Sequence, residues 1–220
     1  MEKERSFLRH EQWHAPPAPV KNERSFCYRG QVTRAEPSEA RERLLNTATG
    51  IFYAAGIHSV GVDRIVAEAK VTRATFYRHF PGKEDLVAAY LSRVHQHIRG
   101  HFERTVAVDA SPVEVLRLVG GLVVEELRTP GFRGCAFLNA AAEYPDRDNP
   151  VHRAVLAHRE WFRTAVTELF ARTGDSEPED SGRHFVMLRD GVMAEGCLGD
   201  PDVASRTFLR GVEGLLLTRS

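Results

Sequence analysis

Between Arg41 and Leu91 the chain carries blocks of helical periodicity separated by short breaks, and few folds admit that pattern. Leu44, Leu45, Ala48, Ile51, Phe52 and Ala55 recur at helical spacing and form one apolar stripe, which Gly56 closes. A short helix follows from about Val62 to Ala69, with Ile65, Val66 and Ala69 facing inward. A second short helix runs from about Arg73 to Phe80 and stops at Pro81-Gly82. A long helix then begins near Lys83, where Glu84 and Asp85 complement its N-terminal dipole. Two short helices joined by a tight turn and braced by a longer one make a helix-turn-helix unit.

The second short helix has the division of labour that such a unit needs. Phe76 and Phe80, four residues apart, can pack on the stripe of the first helix. The remaining surface carries Thr72, Arg73, Ala74, Thr75, Tyr77, Arg78 and His79. Thr72 suits the helix cap, Arg73 can donate to a guanine, and Ala74 or Thr75 can meet a thymine methyl in the major groove. Tyr77, His79 and Lys83 are placed to hold phosphates and fix register. The expected partner is double-stranded DNA.

The rest of the chain reads as helical. Apolar-periodic segments cover about 84–103, 112–128, 134–143, 151–172, 179–197 and 201–218, divided by Pro- and Gly-containing breaks. Neither strand alternation nor an internal repeat is present, so the fold class expected is all-α. Residues 1–36 hold Ala-Pro-Pro-Ala-Pro, scattered charge and no helical period, and read as a disordered or loosely attached extension. Its aromatics (Phe7, Trp13, Phe26, Tyr28) leave docking open, and Arg24, Arg29 and Arg34 leave open an arm that touches DNA. No apolar run is long enough to span a membrane, and the N-terminus has no signal-peptide core. Cys27, Cys135 and Cys197 lie far apart without a CxxC spacing, which fits a reduced cytoplasm and neither a disulfide scaffold nor a zinc site. The formal net charge is zero, but residues 1–83 hold 14 basic against 9 acidic groups and the remainder 16 against 21. A basic front and an acidic back suit a molecule that meets phosphate at one end.

The stretch from Arg41 to Leu91 resembles the N-terminal domain of the tetracycline-repressor-like (TetR/AcrR) regulators. The matching residues are Leu44-Leu45, Ile51-Phe52, Ala55-Gly56-Ile57, Val62-Asp63 with Ile65, Ala69 with Val71, Thr75-Phe76-Tyr77 with His79-Phe80, and Lys83-Glu84-Asp85-Leu86. Two departures accompany the match. Lys70 stands where the family usually has a turn glycine, and Gly61 where it usually has a Thr or Ser cap. Asp63, in the first turn of the second helix, is expected to cap or orient a neighbour instead of binding phosphate.

The resemblance implies a helix-turn-helix domain over 37–83, braced by the start of the helix at 83–101, and a helical effector-binding and dimerisation domain over 84–220. It also implies a homodimer on a pseudo-palindromic operator, most often a repressor released by a small molecule. The helices at 179–197 and 201–218 are the candidate dimer interface. Phe185, Met187, Leu188 and Val192 with Phe208, Leu209, Val212, Leu215 and Leu216 would form its apolar face, or else close the core of one subunit. Residues 131–143 resemble one subgroup of these regulators. Asn139 and Glu143 share a helix face there and can offer polar groups to an effector pocket. Phe102, Phe137, His158, Trp161 and Phe162 are candidates for its apolar wall. Cys135, near a helix N-terminus, is a packing residue or a redox sensor. His97 and His101 share a face, but without further ligands they do not make a metal site, and no cofactor is expected. The alternative is a DNA-binding regulator with no small-molecule effector; an enzyme using Cys135 with His152 or His158 as base is a remote one, and with no Gly-rich phosphate loop, zincin motif or Gly-x-Ser-x-Gly elbow a non-enzyme is expected.

Overall fold

The computed structural model describes residues 38–217, and every regular element among them is an α-helix. The expected extension at 1–36, with its aromatics, arginines and Cys27, lies outside the described residues.

Helix α1 (Glu39–Ala55) buries Leu44, Leu45, Ala48 and Phe52, and it ends where Gly56 adopts φ +87° and donates its N–H to the Phe52 carbonyl at 2.9 Å. The stripe is shorter than expected, because Ala55 faces solvent and the loop residues Ile57 and Val60 take over the core. Helix α2 (Val62–Glu68) and helix α3 (Arg73–His79) pack against it through Ile65, Val66 and Phe76. The turn between them is tight enough to force Lys70 to φ +53°, the left-handed region that an L side chain enters at a cost of about 1–2 kcal/mol. Thr72 caps α3, its side chain accepting from the Thr75 N–H at 3.1 Å, so the helix starts where the sequence predicts. Gly61 starts α2 with no side-chain cap, as its lack of a side chain requires.

Helix α4 (Lys83–Val106) begins with Asp85 accepting the Gly82 N–H at 2.8 Å. Its 24 residues make a rod of about 36 Å that runs from the helix-turn-helix into the rest of the molecule. Arg93 on this rod holds Glu42 and Asn46 of α1, bracing the three-helix unit. The rod outlasts the expected end near residue 103 because Phe102 is buried against Trp161 and Phe162, at centroid distances of 5.6 and 6.2 Å.

The remaining helices are α5 (Pro112–Leu127), α6 (Ala136–Glu143), α7 (Pro150–Arg172), α8 (Pro178–Leu198) and α9 (Pro201–Leu217). Ser111 and Glu114 form a reciprocal cap at the start of α5, and Asn149 caps α7 through the Val151 N–H at 2.8 Å. Helix α7 packs on α8, and α8 on α9. Gly182 permits the α7–α8 approach, since a Cβ there would lie 3.2 Å from Thr167 Cα. At the centre Phe185 meets Phe162, Phe170 and Phe208 at 6.3, 6.3 and 5.9 Å.

That aromatic centre corrects part of the expected dimer face. Phe185, Val192, Phe208, Val212 and Leu216 are all buried within one subunit, so they close its core. Leu188 and Leu215 are half-buried, while Met187 and Leu209 are exposed. Helices α8 and α9 are apolar on more than one side, and composition alone cannot say which side meets the core.

Candidate nucleic-acid interface and cavity

Helix α3 anchors itself through Phe76 and Phe80, both buried, with the Arg41 guanidinium 5.2 Å over the Phe80 ring. Anchoring those two residues turns Thr72, Arg73, Ala74, Tyr77 and Arg78 outward, while Thr75, His79 and Lys83 are half-buried at the edge of the same surface. Tyr77 lies edge-on to Phe76 at 5.1 Å and is half exposed.

Arg73 is held by Asp63 of α2, whose carboxylate accepts from Nε at 2.7 Å and raises the guanidinium's already high pKa. This is the orienting role expected of Asp63. The pair is exposed, so the attraction is screened and Arg73 can be drawn to another anion. His79 Nε2 lies 3.3 Å from Ser38 Oγ, and burial lowers the Lys83 pKa against the opposing charge of Glu143.

A second site lies between α6, α7 and α8. There a cavity of about 200 Å³ is walled by Phe137, Val155, Phe162 and Val186. Its polar lining is His152, His158, Arg159, Arg189, Asp190 and Cys135. Three of the expected pocket residues, Phe137, His158 and Phe162, therefore meet in one cavity. Phe102 and Trp161 stand behind them as ring contacts. The His158 ring stacks on Phe137 at 3.6 Å, nearly parallel, and its Nδ1 is 3.0 Å from His95 Nδ1 on α4. One ring of that pair must donate and the other accept, so at least one of the two rings is neutral. Burial, with Arg189 and His95 adding to it, pushes the His158 pKa down to about 3, and burial also lowers His95.

Asn139 and Glu143 do not line this cavity; both face a separate cleft against α1. The Asn139 side chain donates to the Arg133 carbonyl at 3.0 Å. The Glu143 carboxylate accepts the backbone N–H of Ile57 at 2.8 Å and that of His58, so it clamps the α1–α2 loop to α6. Tyr53 of α1 reinforces the joint, accepting from the Arg133 N–H at 2.9 Å and donating to the Gly134 carbonyl at 3.0 Å. The polar pair on one helix face is real, but its partners are backbone groups that sequence spacing does not reveal.

Among the cavity residues that sequence reasoning missed, with Arg159 and Asp190, is Arg189. It is buried, and its Nη1 donates to Cys135 Sγ at 3.1 Å and Asp190 Oδ1 at 3.2 Å. A signal for it exists: Phe185, Val186, Arg189, Val192 and Met193 follow the helical period, so the arginine occupies a core position. Cys135 is buried in packing contact with that arginine. Among the described residues no cluster of His, Cys, Asp and Glu could hold a metal ion, and no helix is long and apolar enough to cross a membrane.

Comparison with known proteins agrees with this architecture. The family model "Bacterial regulatory proteins, tetR family" matches residues 44–90. The crystal structure of SCO4454, a TetR-family transcriptional regulator from Streptomyces coelicolor, is 60% identical and superposes with a TM-score of 0.79, covering 81% of this chain and 95% of that one. Among curated relatives, the HTH-type transcriptional regulator LmrA of Bacillus subtilis is 27% identical over 142 residues, 63% of this chain and 75% of LmrA. The transcriptional regulator AcuR of Cereibacter sphaeroides is 26% identical over 185 residues, 83% of this chain and 77% of AcuR. With its helix-turn-helix, its all-helical body and these relatives, the chain belongs to the TetR family and is a DNA-binding transcriptional regulator.

Proposed function

We propose that this regulator is a homodimeric repressor that reads a two-fold operator with α3 and leaves it when a small effector enters the cavity between α6, α7 and α8. The reading rests above all on a run of contacts that joins cavity to DNA-binding unit. His158 in the cavity wall touches His95 on α4, the rod that starts beside α3, and stacks on Phe137 of α6. The far end of α6 carries Glu143, which grips the α1–α2 loop. An occupant that displaces His158 or Phe137 thus biases both supports of the helix-turn-helix. Linkage then requires operator DNA to weaken effector binding by the same factor.

In this reading Arg73 exchanges Asp63 for a base edge, Ala74 and Thr75 contact bases, Thr72 caps, and Tyr77, Arg78, His79 and Lys83 hold backbone phosphates. The dimer forms through the outward faces of α8 and α9. Met187, Gly191, Ala194 and Leu198 follow one helical line, as do Val203, Gly214 and Leu217. Met187, Leu198 and Leu217 are 68%, 85% and 77% exposed, an apolar surface that a second copy would cover.

Fluorescence anisotropy on promoter DNA, with a salt titration, tests the first part: affinity should depend on sequence and fall steeply with salt. Binding indifferent to sequence at moderate salt overturns the repressor reading. Gly191→Arg tests the dimer without harming the subunit, because nothing lies within 4 Å of a Cβ at that position. The variant should sediment as a monomer and lose operator affinity about 100-fold or more, since each half-site then binds alone. A dimer with full affinity places the interface elsewhere.

A further inference from the structure

The cavity between α6, α7 and α8 is built for charge as well as for apolar surface. Two guanidinium groups line it, Arg159 and Arg189, against one carboxylate, Asp190, which both arginines share. The neighbouring histidines do not redress the balance. His152 Nδ1 donates to the Tyr144 carbonyl at 2.6 Å, and His158 is committed to its pairing with His95. Glu126, outside the lining, lies within Coulombic reach of Arg189, and burial raises its pKa against the opposing pull of that arginine. Among the residues that line the cavity, two positive charges thus face one negative charge.

Arg189 is where positive charge is most costly to leave unmet. Only 8% of the residue is exposed, and both hydrogen bonds found for it among the described residues use Nη1. No hydrogen bond from its Nε or Nη2 is found among the described residues, and a desolvated guanidinium is stabilised by a bidentate acceptor above all. Flat apolar surfaces flank it, with the Phe162 ring 5.9 Å below the guanidinium and Phe137 stacked on His158. The volume of about 200 Å³ is small for an effector pocket, room for about seven waters at ~30 Å³ each.

We propose that the cavity takes a small organic carboxylate, with its anionic group on Arg189 and Arg159 and its few carbons against Phe137 and Phe162. This names the chemical class of the effector and so rests on the regulatory reading above.

The test is calorimetric titration of the full-length protein with butyrate and benzoate, each paired with its neutral amide, butyramide or benzamide. At least one acid should bind saturably, and its amide about tenfold or more weaker, because the amide lacks the charge. Arg159→Gln, at a half-exposed position that leaves the core intact, should weaken the acid about threefold or more. Arg189→Gln should abolish the difference between acid and amide. An amide that binds within about twofold of its acid overturns the proposal, as does a failure of both acids to saturate by about 10 mM. Undiminished acid binding by Arg189→Gln overturns it too. Operator release is read separately by anisotropy. An acid that binds without releasing DNA upholds the carboxylate site and sinks the effector reading. Release by a neutral compound does the reverse.

Discussion

The joint between α6 and the α1–α2 loop should be a measurable source of stability, and Glu143→Ala isolates it. The substitution removes two acceptors, the oxygens that take the N–H groups of Ile57 and His58. Hydrogen bonds to a charged group contribute about 1.5–3 kcal/mol each, so two at the low end amount to about 3 kcal/mol. The site is partly open, with Glu143 at 23% and His58 at 58% side-chain exposure, so water can satisfy some of what is lost. The expected destabilisation is therefore about 2 kcal/mol, read as a lower urea midpoint with unchanged m. Amide hydrogen exchange gives the local readout: protection at Ile57 and His58 should fall while that of buried α7 residues such as Val166 changes only through global stability. Tyr53→Phe cuts the neighbouring bonds to Arg133 and Gly134, and the double variant should lose less than the two single losses combined, because both hold one joint. A Glu143→Ala loss below about 0.5 kcal/mol, or unchanged exchange at Ile57 and His58, refutes the clamp.

Two further outcomes follow from buried or strained groups. His158 is neutral in the fold, its pKa lowered to about 3, whereas unfolded histidine titrates near 6.5. Below about pH 6.5 the unfolded chain takes up a proton that the native chain refuses, so stability falls with pH by up to ~1.4 kcal/mol per unit and loses about 2 kcal/mol between pH 7 and 5. His158→Gln should flatten that slope in urea titrations, and an unchanged slope removes His158 as the cause. Lys70→Gly should stabilise by about 0.5–1 kcal/mol, the left-handed strain relieved less the entropy that glycine costs. A destabilised Lys70→Gly variant in the same assay would mean that the lysine side chain makes a compensating interaction.

Helix starts and stops were legible in the chain itself because their causes are local. Thr72 accepts the Thr75 N–H, Gly56 takes a positive φ, and Pro112 and Pro150 sit in first turns, each within a few residues of what it controls. The exposed set on α3 was legible for the same reason: once Phe76 and Phe80 point inward, helical geometry turns the rest out. Matters of partnership were not legible, because they join residues far apart in sequence. Glu143 shares a face with Asn139 whether that face meets a ligand or a backbone, and only docking against the α1–α2 loop gives its carboxylate the backbone partners Ile57 and His58. The apolar residues of α8 and α9 occupy several sides, and only the Phe185 cluster decides which side closes the subunit. Arg189 acquires its meaning from Cys135, 54 positions away, and from the cavity that three helices enclose. Short-range backbone sterics and capping act within one turn of helix, whereas a buried charge or a cavity exists only once distant elements have docked and excluded water.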